Sequence, residues 1–310
     1  MTSPSRLSLI LCPLLCLLPA VLAQESDAPA QTPAPLPLPN ILSGLGGLFG
    51  IELPRLEPPG TYKLIFHPHF GDFFHRSYIR TDVGLSWSLN DHFGIDAEAD
   101  TYATHGLHSG NNYGYGLGQV LSGVKYVFKE WPKPEFQTSI GFTTALPVDH
   151  PPVDMTDGLR HYTPNVAIQY RPPTHPRWTV FAASSVDFVN TTEVKGYTAL
   201  NTPRDNSLSF TGGAIYDMGQ LKWTLQGTYT TTALIGERTQ NFYSVVPSVL
   251  WYVPMRYANF TKTQWIVSLG VNSTWGPDGF YVTTSSRVRA EITFKQVMQK
   301  LHDATTSMHK

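Results

Sequence analysis

Three groups of side chains have the types and spacing to do chemistry. The first is His67, His69, Asp72 and His75, with His105, His108, Asp149 and His150 in later polar stretches. Imidazole and carboxylate together hold divalent transition metals. None of these spacings has the stringency of a zinc motif, so no metal is assigned. His67, His69, Asp72 and His75 stand as weak candidates against ordinary polar loop residues. The second group is Asp96, Glu98 and Asp100, on alternate positions. Alternate positions of a strand share one face, and like charges there need cations, partners or water. Arg80, Lys125, Arg287 and Arg289 are the basic residues at hand. The ladder reads either as part of a salt-bridged network or as a lining that selects by charge sign. The third is a hydrolytic pairing, for which only an arbitrary choice such as His161 with Ser209 can be made. A serine nucleophile needs a base in contact and a third group to orient that base. No convincing pairing exists, so no catalytic residue, enzyme activity or cofactor is expected.

The elements that must position these residues begin with a leader. Arg6 is followed by an apolar run over 7–18, too short to span a membrane as a helix, and then by Val21, Leu22 and Ala23. This reads as a signal peptide over 1–23, cleaved to leave Gln24. Both cysteines, Cys12 and Cys16, lie inside it. The mature chain then has no disulfide, thiolate metal site or cysteine nucleophile. Residues 24–60 form a Pro/Ala-rich flexible lead. Within it, 40–51 mixes Leu, Ile and Phe with glycines and reads as a linker, with docking on or inside the following domain as the alternative. With 22 basic and 23 acidic residues, the chain has no charge surplus and no basic face that would bind nucleic acid.

From residue 61 to 294 the hydropathy alternates with period two. Strands are predicted at 61–67, 76–89, 93–104, 115–129, 135–147, 160–171, 177–189, 207–217, 220–234, 242–253, 263–274 and 280–294, each bounded by Gly, Pro, Asn or Asp. The connections alternate between short ones, such as 90–92 and 217–219, and longer ones, such as 106–114 and 190–206. The fold class is therefore all-β, an antiparallel up-and-down transmembrane barrel of about twelve strands. Residues 295–310 are a short tail.

The two faces of these strands differ. One parity is apolar, as in Val83, Leu85 and Trp87 or Leu221, Trp223 and Leu225, and carries essentially no charge. A charge facing lipid at mid-depth costs roughly 2–4 kcal/mol. The same parity places an aromatic near one end of every strand: Tyr62, Trp87, Phe93, Phe128, Phe136, Tyr170, Trp178, Tyr216, Trp223, Trp251, Trp265 and Phe294. Such a girdle belongs at a membrane–water boundary. The opposite parity holds Lys63, Arg80, Asp82, Asp96, Glu98, Asp100, Lys125, Lys222, Arg287, Arg289 and Glu291, with Gln137, Gln169, Asp187 and Gln226. These are the expected lumen-lining residues.

On the leader, the alternating strands, the girdle and the terminal segment Val288 to Phe294, the chain resembles Gram-negative outer-membrane barrels of about twelve strands. In particular it resembles transporter-like barrels associated with aromatic (phenol) degradation. The resemblance covers about 61–294 and rests on architecture. It implies a bacterial outer-membrane location, contact with outer-membrane lipid, and recognition of Phe294 by the barrel assembly machinery, here internally because residues 295–310 follow. The expected function is passage of a small polar or aromatic solute across the outer membrane. The rival is a structural or surface-interaction barrel with a closed lumen, and a lipid-modifying enzyme comes third.

Overall fold

The computed structural model describes residues 53–70, 72, 76–105, 114–148, 151–152, 155–197, 199–254, 257 and 264–295, with the side chains of 285 and 293–295 outside the description. The leader, residues 40–51, His75, His108, Asp149, His150 and the tail therefore lie outside the described residues.

Twelve antiparallel strands close into one barrel in chain order. They are β1 (Thr61–Pro68), β2 (Tyr78–Ser88), β3 (Phe93–Thr104), β4 (Tyr115–Lys129), β5 (Phe136–Pro147), β6 (Leu159–Tyr170), β7 (Trp178–Thr191), β8 (Ser207–Asp217), β9 (Leu221–Thr231), β10 (Asn241–Tyr252), β11 (Gln264–Gly276) and β12 (Gly279–Lys295). Period-two sequences can bury one face and expose the other only as strands. Closure removes the unpaired edges that an open sheet would leave. β1 pairs with β12 in a register that sets Tyr62 opposite Phe294 and Phe66 opposite Ala290.

The chain enters at the end where the connections are short, at 89–92, 130–135, 171–177 and 218–220. At 218–220 the reversal needs Gly219 at φ +88°, a left-handed conformation that an L side chain resists. Asp217 Oδ1 accepts from the Gly219 amide at 2.7 Å and fixes the turn. The opposite end carries the segments 69–77, 105–114, 148–158 and 192–206.

One irregularity departs from the expected alternation. Between β3 and β4 the register shifts, with Asp100 opposite Gln119 but Thr101 opposite Leu117, so Gly118 is an extra residue. The outward parity of β4 switches there: Tyr115 and Leu117 face out on one side of the bulge, Val124, Tyr126 and Phe128 on the other. A Cβ at Gly118 would lie 2.7 Å from Met155 Cε. The glycine thus leaves room for Met155 to pack inward onto the bulge. Pro151, Pro152, Met155 and Thr156 are buried there, and Met155 packs with Tyr78 and Tyr102.

The buried core is the lumen itself. Inward-facing Leu250, Tyr252 and Ile266 form an apolar cluster toward the short-turn end, while Leu225, Val180, Ile140 and Leu269 lie exposed on the outside.

Candidate functional site

Lys63, Glu98, Lys125, Lys222, Arg289 and Glu291 are buried on the strand face opposite the exposed apolar side chains, and register decides who meets whom. Their charges concentrate on the wall formed by β12 and β1–β4. Lys63 pairs with Glu57 and lies 3.1 Å from Glu291, whose Oε1 is 3.1 Å from Arg289 Nε. Arg80 clasps Asp72 through Nε at 2.7 Å and an end nitrogen at 3.0 Å, and Arg76 Nε reaches the same carboxylate at 2.9 Å. Lys125 Nζ donates to the Leu53 carbonyl at 3.2 Å. The Asp96–Glu98–Asp100 ladder therefore loses most of the partners expected for it. Three of these cations have other acceptors that periodicity alone could not reveal: Asp72 in the 69–77 segment for Arg80, Glu291 on the same strand for Arg289, and the carbonyl of Leu53 for Lys125.

The histidine group also resolves differently from its spacing. Asp72 is taken by Arg80 and Arg76, and Asp82, one strand over, replaces it beside the imidazoles. His67 Nδ1 and His69 Nε2 each lie 2.8 Å from Asp82 Oδ2, with their rings 4.5 Å apart.

The wall from β5 to β10 is mostly neutral. Ser209 and Thr230 are cross-strand partners bonded at 2.8 Å, Thr211 and Thr228 at 3.1 Å, and Thr224 bonds Ser248. A cavity of about 290 Å³ lies against Thr163, Asn165, Ser209, Thr211, Gln226 and Thr228 among others. A larger one of about 600 Å³ is lined by Val189, Thr191, Arg204, Asp205, Glu237, Arg238 and Phe242 at the long-loop mouth. Lys222 is the one lumenal cation expected on this wall. It is fully buried, paired with Asp217 and 5.3 Å from the Tyr252 ring centre.

His161 sits at the rim of this wall between two carboxylates, Nδ1 2.7 Å from Asp187 and Nε2 2.9 Å from Asp157. Thr163 donates to the other Asp187 oxygen at 2.9 Å. Both ring nitrogens must therefore donate, which makes the ring an imidazolium. Burial pushes the Asp157 carboxyl up, but hydrogen bonds from His161 and the Leu159 amide outweigh it and hold the group below the usual carboxylate value. His161 and Ser209 share a cavity, yet no nitrogen of His161 is left to accept a proton from a serine.

The lead enters the barrel from the short-turn end. Leu53 and Pro54 are buried, Leu56 covers Gly94 on the lumenal face of β3, and Arg55 lies in the electrostatic reach of Asp217, Tyr252 and Arg171. Residues 53–57 thus lie inside the short-turn end against β1, β3 and β4, with the Arg55 charge facing Tyr252 and Asp217.

On the outer surface, the short-turn end carries the predicted aromatics from Tyr62 round to Trp265, with Tyr62 on Trp87 at 5.3 Å, Phe136 on Tyr170 at 4.7 Å and Trp178 by Tyr216 at 4.9 Å. A second band lies toward the long-loop end: Phe66, Phe188, Phe210, Tyr229 by Tyr243 at 5.1 Å, and Trp275 by Phe280 at 5.1 Å. Sequence reasoning recorded only the first band, although the second shares its parity. Trp265 and Trp275 lie at opposite ends of β11. At about 3.3 Å per residue and a tilt of about 40°, they are separated by about 25 Å along the barrel axis, the height of an outer-membrane apolar band.

No family model and no curated protein matches the sequence. Solved structures with similar folds include a KdgM porin in complex with disordered oligogalacturonate, 11% identical, covering 76% of this chain and 99% of its own, with a TM-score of 0.41. An outer-membrane channel from Pseudomonas putida F1 is 10% identical over 77% of this chain and 97% of its own, with a TM-score of 0.46. A NanC porin is 13% identical over 76% and 100%, with a TM-score of 0.40.

Proposed function

We propose that the chain is an outer-membrane channel for a small solute, with its path along the hydroxyl-lined wall of β5–β10. The observation that carries this reading is the asymmetry of the lumen. Cavities of about 290 and 600 Å³ lie along that wall and the long-loop mouth. At the short-turn end, by contrast, residues 53–57 of the lead lie inside the lumen against β1, β3 and β4. A wall of hydroxyls and amides exchanges hydrogen bonds with a neutral polar or aromatic-alcohol solute at little desolvation cost. On this reading the two aromatic bands meet lipid headgroups, and the short turns face the periplasm. The leader over 1–23 exports the chain, and the assembly machinery reads the strand ending in Phe294.

The lead acts as a stopper. Purified full-length mature protein should give small or brief currents in planar bilayers, and protein lacking residues 24–57 should give discrete, severalfold larger ones. Absence of discrete current from both would favour the second reading, a structural barrel with a closed lumen. The buried Leu250, Tyr252 and Ile266 cluster gives that reading its own support.

A further inference from the structure

We propose that His67, His69 and Asp82, with Glu98 and Asp100 beside them, bind a divalent late first-row transition-metal ion on the charged wall of the lumen. Register builds the group. His67 on β1 stands directly opposite Asp82 on β2, and Asp82 directly opposite Asp100 on β3. Glu98 lies two positions from Asp100 on the same face, and His69 two positions beyond His67. The ligand atoms of His67, His69 and Asp82 lie within 4.8 Å of one another, as do those of Asp82, Glu98 and Asp100. Asp82 joins the two sets.

Several observations separate this group from an ordinary salt-bridge network. Two imidazoles converge on a single carboxylate oxygen, at 2.8 Å each, instead of spreading over separate acceptors. Two aspartates face each other across neighbouring strands, an arrangement that repels unless they share a proton or a cation lies between or beside them. Glu98 is only 6% exposed and, among the described residues, accepts no hydrogen bond and forms no ion pair. A buried carboxylate left in that state is costly.

Glu98 points into a cavity of about 210 Å³, which His69, Asp82, Asp100, Gln119 and Arg287 also line and Met155 borders. The nearest cation on β2, Arg80, is already held by Asp72. That leaves Arg287, with Arg289 shared with Glu291, facing three carboxylates. A divalent ion offsets the remaining charge, and the cavity has room for it with one or two waters.

The donor set also states which ion. Imidazole nitrogen with carboxylate oxygen suits zinc, nickel, cobalt or copper at about 2.0–2.2 Å, whereas magnesium and calcium take oxygen alone. Asp82 belongs to both sets of three, so an ion bound by His67, His69 and Asp82 has Glu98 and Asp100 on its carboxylate side. The His161 cluster gives an internal contrast. There one imidazole spends both nitrogens on two carboxylates, so it has no lone pair to offer a metal.

The test uses folded mature protein in detergent, with zinc alone as probe and equilibrium dialysis as readout, so it is independent of whether the barrel conducts. One saturable zinc ion per chain is expected. His69→Ala and Glu98→Gln should each weaken binding at least tenfold, and His67→Ala together with His69→Ala should abolish it. His161→Gln should leave binding unchanged, and a thousandfold excess of magnesium should not displace the ion. Heat-modifiable migration on gels confirms that each variant is folded. His69 is a quarter exposed, so His69→Ala keeps the test readable if His67→Ala does not fold. Absence of saturable binding, equal binding by the double variant, loss in His161→Gln, or displacement by magnesium would each overturn the assignment.

Discussion

The wall of β12 and β1–β4 and the wall of β5–β10 fill the same lumen with different chemistry. On the first, full charges meet across strands and across the barrel mouth: Arg80 with Asp72, Lys63 with Glu57 and Glu291, Lys125 with a backbone carbonyl. On the second, hydroxyls meet hydroxyls in register, as at Ser209 with Thr230 and Thr211 with Thr228. Inward-folded segments lie mainly on the charged wall, with Met155 over its long-loop end and Leu53 and Leu56 at its short-turn end. Ion pairs immobilise chain and gain strength when water is excluded. Neutral hydroxyls tolerate water on one side and a passing solute on the other. The difference assigns scaffolding to one half of the circumference and passage to the other.

The comparison breaks most sharply at Arg80. Asp72 is nearly buried, and removing one partner of such a pair strands the other charge. Arg80→Gln should lower stability by about 3 kcal/mol, the low end for a buried pair because Arg76 still reaches Asp72. Urea unfolding in detergent micelles measures this. A loss below about 1 kcal/mol, typical of a neutral hydrogen bond, would erase the distinction between the walls. On the hydroxyl wall, Ser248→Ala removes one bond to Thr224 in a buried pair. It should cost only about 1 kcal/mol in the same assay.

How much of this was legible in the sequence follows from what periodicity encodes. Period two states which side chains point inward, so the closed barrel, the strand order and the lumenal parity of Lys63, Asp82, Lys125 and Lys222 could be read directly. It does not state register. The choice of Asp82 over Asp72 beside His67 and His69 depends on β1–β2 pairing. The isolation of Glu98 depends on where Arg80 and Lys125 find closer acceptors. Strand ends shifted by a few residues: β2 starts at Tyr78, not 76, and β9 stops at Thr231, not 234. The Gly118 bulge was hidden because a single extra residue leaves the apolar pattern nearly intact on either side. The inward placement of Met155 and of 53–57 leaves no periodic trace at all. Both are irregular chain whose position is set by contacts with distant strands.

The smallest effect concerns the rim where the hydroxyl wall does carry charge. His161 ties Asp157, in the 148–158 segment, to Asp187 on β7, and the same segment is bonded to the next long connection through the Tyr197 amide and the Thr156 carbonyl at 2.9 Å. Because the Asp157 carboxyl is held below its ordinary value, it binds its proton less readily folded than unfolded. Its contribution is therefore complete above the unfolded value, near pH 4, and is lost as pH falls through the lower folded value. Amide exchange at Leu159 and Tyr197, referred to the intrinsic rate at each pH, should stay protected from pH 7 down to about pH 4 and rise severalfold only below it. Asp157→Asn keeps the shape but cannot hold the imidazolium as a charge. It should show at neutral pH the faster exchange that the unaltered protein shows in acid. If protection is instead weak at pH 7 and rises on going down to pH 6, the proton on His161 governs the rim. The charge there would then behave as a titrating switch, not as a fixed tie like those on the opposite wall.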